Sequence, residues 1–220
     1  MVNILFDIDD TLFPSTEFSA LARKNALTAM IRTGIDLDYE TLRTELQSVI
    51  KEKGSNYQYH FSDLCLRLKI KQPARYVAAA VAAYHDTKTS IQPYPKVPST
   101  LQKLKEQGHK LFVATHGSSI KQWDKLIRLG IARYFDDVFV TEDFQTNKDE
   151  IFFRKIIERL GADASQCVML GDREALDIKP AKAVGMKTIR ILQGKEKDIP
   201  SAADHTINKI EEILDIMQHF

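Results

Sequence analysis

Two hydrophobic rhythms divide the chain. Residues 4–6 (Ile4, Leu5, Phe6) form a short apolar run of the kind a buried strand carries, and Pro14 limits any continuation of it. From there to residue 92 the spacing is helical. The pattern predicts a helix over 16–32 (Phe18, Leu21, Ala22, Ala26, Met30) that stops at Gly34. A second, carrying Leu42, Leu46, Val49 and Ile50, follows Asp38, a good N-cap, and ends at Gly54. A polar and aromatic loop over 55–60 leads to a third helix near 61–68, and Pro73 suits the first turn of a fourth over 74–85. The proline-rich stretch 91–98 reads as a stiff linker.

Beyond residue 98 helices alternate with strands. Helices are predicted over 99–107, 118–129, 149–160 and 175–184, each ended by a glycine (Gly108, Gly130, Gly161, Gly185). Strands are predicted over 110–114, 137–140, 166–170 and 186–192, and an amphipathic helix over 208–217. Such alternation implies an α/β fold, a parallel sheet covered by helices on both faces in a Rossmann-like three-layer core. The opening strand has no parallel partner before residue 108, so it belongs to that sheet. The expected organisation is a core of residues 1–15 and 93–220 interrupted by an all-helical insertion over 16–92.

Composition narrows the function. With 220 residues, 44% of them hydrophobic, the chain can bury a sizeable core. Its 31 basic and 30 acidic residues leave a net charge of +1, so nucleic acid and anionic membranes are not expected partners. Cys65 and Cys167 are too few for a metal or disulfide framework and are expected as buried apolar residues. No basic-then-apolar leader and no spanning run stand out, so a cytoplasmic location is expected.

The acids after the first strand change the picture. Asp7, Asp9 and Asp10 crowd a strand end, where two full charges ~4 Å apart cost roughly 4 kcal/mol at an effective dielectric near 20. A bound cation is the simplest compensation. Ligands of open parallel sheets bind at the carboxyl ends of the strands. Here those ends carry Asp7 and Asp9; Thr115, His116 and Gly117; Thr141, Glu142 and Asp143; and Gly171 and Asp172. A carboxylate there can act as nucleophile, and a neighbour can protonate a leaving alcohol and then activate water. Asp172 and Asp177 lie across a strand-to-helix turn and can close a Mg²⁺ site. Thr115, with helix-start amides beside it, suits phosphate, and Lys148 can neutralise both phosphate and nucleophile.

In this order FDIDDTL, VATHG, Lys148 and VMLGDREALD resemble the four motifs of the haloacid dehalogenase (HAD) superfamily, and the flanking YFDDVFVTED and KAVGMKTIRI resemble its helical-cap subfamily. The resemblance implies a Mg²⁺-dependent phosphatase acting on a small-molecule phosphate ester through an aspartyl-phosphate. It implies Asp7 as nucleophile and Asp9 as acid/base. Mg²⁺ would be held by Asp7, the Asp9 main-chain carbonyl and Asp172, supported by Asp177, with phosphate on Thr115 and Lys148. His116 and Gly117, beside Thr115, complete the expected phosphate site. The helical insertion would be a mobile cap. His116, Asp149 and Leu176 depart from the family's usual residues, and Asp10 stands where many relatives have glycine.

Each feature has a plainer reading. The acids could form an acidic turn, Thr115 could only cap a helix, and Lys148 could be solvated. Glu142 and Asp143 are expected in solvent or supporting roles; Trp123, at helical spacing with Ile127, is expected in the core. His116 could touch substrate. Tyr57, Tyr59 and His60 could read its organic part or pack the cap on the core. The rival functions are a haloacid dehalogenase, a phosphomutase and a non-catalytic binder of phosphorylated ligands or proteins. Phosphoglycolate, glyceraldehyde 3-phosphate, sugar phosphates and nucleoside monophosphates all fit, as do a monomer and a homodimer.

Overall fold

The computed structural model describes residues 1–55 and 57–218. Asn56 in the aromatic loop and residues 219–220 of the expected core lie outside it. The described chain divides into two compact units, Met1–Thr16 with Gln92–Phe220, and Glu17–Ile91.

The first unit is built on a six-stranded sheet: β1 (Asn3–Phe6), β2 (Lys110–Thr115), β3 (Asp137–Val140), β4 (Cys167–Gly171), β5 (Lys187–Ile191) and β6 (His205–Ile207). The order is β3-β2-β1-β4-β5-β6 and every pairing is parallel. The fold is thus the expected α/β Rossmann-like architecture. β1 is the switch point, because Phe6 faces Val113 of β2 on one side and Leu170 of β4 on the other. The chain winds outward in opposite directions from there, which opens a crevice at the carboxyl ends of these three strands.

Helices α1 (Ser15–Arg32), α2 (Tyr39–Lys53), α3 (His60–Arg67) and α4 (Pro73–Lys88) account for the helical stretch. Ala26, Leu27, Met30, Leu42, Leu46, Leu64, Cys65, Tyr76 and Ala80 form the core of the second unit. Asp38 caps α2 by accepting from Thr41 N at 2.9 Å and Thr41 Oγ1 at 2.7 Å. In the first unit follow α5 (Val97–Glu106), α6 (Ser119–Arg128), α7 (Thr141–Phe144), α8 (Glu150–Leu160), α9 (Lys179–Ala183) and α10 (Ile213–Met217). Leu5, Phe112, Phe139, Cys167 and Met169 of the sheet pack with Phe152 and Phe153 of α8 and Ala181 of α9 in one buried cluster. Phe112 stacks on Phe139 at 5.6 Å, and edge-to-face contacts continue through Phe144 and Phe152 to Phe153.

Four expectations need correction. The linker ends at Lys96, because Pro98 sits in the first turn of α5, where its missing N–H costs nothing. Residues 205–207 add the edge strand β6, and the terminal helix begins only at Ile213 after a 3₁₀ turn; three residues are too few to show a period. The helix expected over 175–184 opens instead with a π-helical turn, Glu174–Ile178. Trp123 and Ile127 are 41% and 65% exposed rather than core, since α6 buries Gln122 and Leu126. Among the described residues, no helix is long and apolar enough to cross a membrane.

Phe153 is fully buried at the end of the aromatic chain, against Phe152. Phe153→Ala leaves a cavity that its rigid neighbours cannot close. It should lower the stability of the first unit by about 3–5 kcal/mol in urea unfolding.

Candidate active site

Strand β1 ends at Phe6, and the Asp7 amide donates to Leu170 O at 2.9 Å, which seats the Asp7 carboxylate at the head of the crevice. Past this point the strand geometry is lost, so the alternation that would align Asp7 with Asp9 no longer operates. Asp9 instead forms an isolated bridge with Phe13, and its carboxylate accepts from Lys125 Nζ of α6, 2.7 Å from each oxygen. The Phe13 ring lies 5.8 Å from the same ammonium. Asp10 adopts a left-handed backbone, φ 53°, the conformation that makes glycine common in such a turn. Its carboxylate accepts from Thr16 N at 2.8 Å and from Thr16 Oγ1 at 2.5 Å, satisfying first-turn donors of α1.

Lys148 is buried, and its ammonium lies between two carboxylates: 2.6 Å from Asp7 Oδ1 and paired with Asp177 Oδ1. The residue after it, Asp149, caps α8 by accepting from Phe152 N at 3.1 Å, so an acid starts this helix. Asp172 follows β4, and the π-helical turn brings Asp177 back under it. Arg173 N donates to Asp177 Oδ2 at 2.9 Å. Gly171 is obligatory because a Cβ there would overlap the Asp177 carboxylate.

Oxygens of Asp7, Asp172 and Asp177 lie within 4.8 Å of one another, and all three residues are buried. Burial, only partly opposed by Lys148 and reinforced by Asp177 and Asp9, pushes the Asp7 carboxyl up to about 6. Burial again, with Asp7, Asp177 and Asp10 adding their charge, pushes Asp172 up to about 9. Burial alone would lower the Lys148 ammonium, but Asp177 and Asp7 hold it above its ordinary value. Asp172 Oδ1 is buried without a hydrogen-bond partner. Clustered hard oxygens, one of them unpaired, fit a hard divalent cation.

Thr115 is buried at the end of β2, beside Val140 of β3. In the turn after it, Gly117 N donates to Thr141 Oγ1 at 3.2 Å and His116 Nδ1 lies 3.2 Å from the same hydroxyl. The Gly117 amide thus already has a partner. Gln122 Nε2 donates to His116 O at 2.7 Å. Burial, then Lys148 and Arg173, lowers the His116 imidazole below its ordinary value. A cleft of about 500 Å³ opens here, lined by His116, Gly117, Thr141, Glu142, Gln145, Thr146 and Asn147. Glu142 and Asp143 bind Ser119, through its amide at 2.8 Å and its hydroxyl at 2.5 Å, so they fix the start of α6.

Sequence reasoning missed Lys125, Gln122 and Arg190. Lys125 and Gln122 look like ordinary polar helix residues. Arg190 could have been flagged, because an arginine inside the apolar strand KTIRI needs buried partners.

Residues 4–191 match the family model described as haloacid dehalogenase-like hydrolase. The chain is 44% identical over 220 residues to the glyceraldehyde 3-phosphate phosphatase of Methanocaldococcus jannaschii, covering 98% of this chain and 96% of that protein. It is 43% identical over 224 residues to that of Methanopyrus kandleri, again covering 98% and 96%. The magnesium-bound structure of YfnB from Bacillus subtilis shares the fold, with a TM-score of 0.71 over 98% of both chains at 23% identity. The chain therefore belongs to the haloacid dehalogenase-like hydrolase family and is an enzyme of that family.

The proton held by Asp172 has a thermodynamic consequence. A carboxyl that titrates near 3.8 in the unfolded chain and near 9 in the folded one keeps the native state more protonated between those values. This contribution to stability therefore falls as pH rises. In EDTA, the urea midpoint of wild type should drop relative to that of Asp172→Asn between pH 6 and pH 9. A pH-independent difference would contradict it.

Proposed function

We propose that this enzyme hydrolyses a small phosphomonoester through an aspartyl-phosphate on Asp7. The carrying observation is the buried trio Asp7, Asp172 and Asp177 closed around Lys148, at the switch point of the sheet. The names of the two relatives above support phosphatase chemistry and make glyceraldehyde 3-phosphate the first substrate to test. The magnesium in the YfnB structure supports a divalent cation, which Asp7, Asp172 and the Asp9 carbonyl would hold with Asp177 in support. When bound, such a cation supplies charge neutralisation that lets an anionic phosphate meet an anionic nucleophile.

The chain's own groups supply the rest. Lys148 orients an Asp7 oxygen and offsets charge on the arriving phosphoryl group, which the Thr115 hydroxyl and the turn at His116 and Gly117 would cradle. Asp7 attacks phosphorus and the bond to the alcohol breaks. Asp9 gives that alcohol a proton, then takes one from the water that cleaves the acyl-phosphate and regenerates Asp7. To do so, Asp9 must free an oxygen from Lys125, which holds both. The helical unit Glu17–Ile91, inserted just after these acids, is proposed as the cap that selects substrate.

Wild type with Mg²⁺ should release inorganic phosphate from glyceraldehyde 3-phosphate or another member of a small phosphate-ester panel, and EDTA should stop it. Asp7→Asn should reduce turnover at least about 10³-fold with an unchanged far-UV spectrum. Retained turnover in that variant would rule out Asp7 as nucleophile, and metal-independent halide release from haloacids would favour a dehalogenase.

A further inference from the structure

Arg190 is fully buried near the carboxyl end of β5, the fourth of its five residues. Its guanidinium is used up by two loops. Nε donates to Asp172 O at 3.0 Å, and one terminal nitrogen reaches Glu174 Oε2 at 3.3 Å. That nitrogen also donates to Ile199 O at 3.0 Å and Pro200 O at 3.3 Å, while the other donates to Glu196 O. Glu174 completes the bridge by accepting from Ser201 Oγ at 2.9 Å and Ala202 N at 3.0 Å. One side chain therefore ties the turn that carries Asp172 and Asp177 to the stretch after β5. That stretch also reaches the first acidic turn, since a Cβ on Gly194 would lie 2.7 Å from Asp10 Oδ2.

We propose that Arg190 is the positioning residue of the Asp172 turn, and that residues 194–202 are the buttress through which it acts. Asp172 belongs to no helix or strand and follows a glycine, so nothing within its own segment fixes its carboxylate. A planar fork bonded to its carbonyl does. The π-helical turn beside it is widened, with Arg173 O accepting from Asp177 N at 2.9 Å and from Ile178 N at 3.4 Å, and these bonds are all local to the turn. The Glu174 bridge adds the long-range tie, from that turn to Ser201 and Ala202. Groups that orient metal-binding carboxylates commonly set metal affinity while leaving substrate contacts alone. The functional half of this inference rests on the divalent-cation reading above.

The test uses the full chain with Arg190→Lys, which keeps the charge and loses the fork, and Ser201→Ala, which removes one bond to Glu174. Hydrogen–deuterium exchange in EDTA reads the loops directly. Arg190→Lys should exchange faster over both 172–178 and 194–202. Thermal-shift titration should show the Mg²⁺ half-saturation raised about tenfold. KM for p-nitrophenyl phosphate at saturating Mg²⁺ should stay within about twofold, a split that general destabilisation would not produce. Ser201→Ala should show the same changes in smaller measure, and it carries the test if Arg190→Lys does not fold. Unchanged exchange over 172–178 would overturn the proposal, as would faster exchange with an unaltered Mg²⁺ half-saturation. A wild type that gains no stability from Mg²⁺ would instead overturn the cation reading, and exchange would still decide whether Arg190 fixes the turn.

Discussion

Like charge forced together in a dry place governs this molecule. Asp7, Asp172 and Asp177 sit within 4.8 Å of one another with a single ammonium, Lys148, among them. One cation cannot offset three carboxylates, so the folded chain answers partly by keeping protons it would otherwise lose, most strongly on Asp172. Each surrounding feature can be traced to this cluster. Gly171 leaves room for Asp177, the π-helical turn swings Asp177 beneath the crevice, and Asp149 starts α8 immediately after Lys148. The remainder of the fold holds the cluster against its own repulsion.

That work is done by the parallel sheet. Strand β1 pairs with β2 and β4 through all four of its residues, so the acids after Phe6, the hydroxyl of Thr115 and the carboxylate of Asp172 converge by register. The aromatic chain from Phe112 to Phe153 makes one face of that sheet rigid. A cluster that stores electrostatic cost gains selectivity from such rigidity. A small hard cation recovers the cost only if the oxygens cannot spread to accommodate something else.

Beyond the cluster, the charges divide into held and exchangeable ones. Asp10 is spent on the first turn of α1, and Arg190 with Glu174 is locked between two loops. Asp9 is different: 38% exposed and paired with the partly exposed Lys125, it can change partners at small cost. A half-exposed ion pair exchanges partners more readily than a buried one.

Much of this was legible in the order of residues. The continuous apolar run at 4–6, the glycine-ended helices after residue 98 and the buried stripes of 39–53 and 60–67, at a period of 3.6, are patterns the chain carries locally. That Asp7, Asp172 and Asp177 come together was legible too, because carboxylates at strand ends conflict with folding unless something offsets them, whereas the Asp9 carboxylate turns to Lys125 instead. Asp177 was placed by its spacing alone, although the turn that delivers it proved π-helical. Tertiary structure decided the pairings: Lys148 with Asp7 across 141 residues, Lys125 with Asp9 across 116, and Arg190 with the Asp172 carbonyl across 18. It also decided that Trp123 faces outward and that residues 205–207 join the sheet. Local pattern tells a side chain which way its own segment turns; only the sheet's winding tells it which distant charge it will meet.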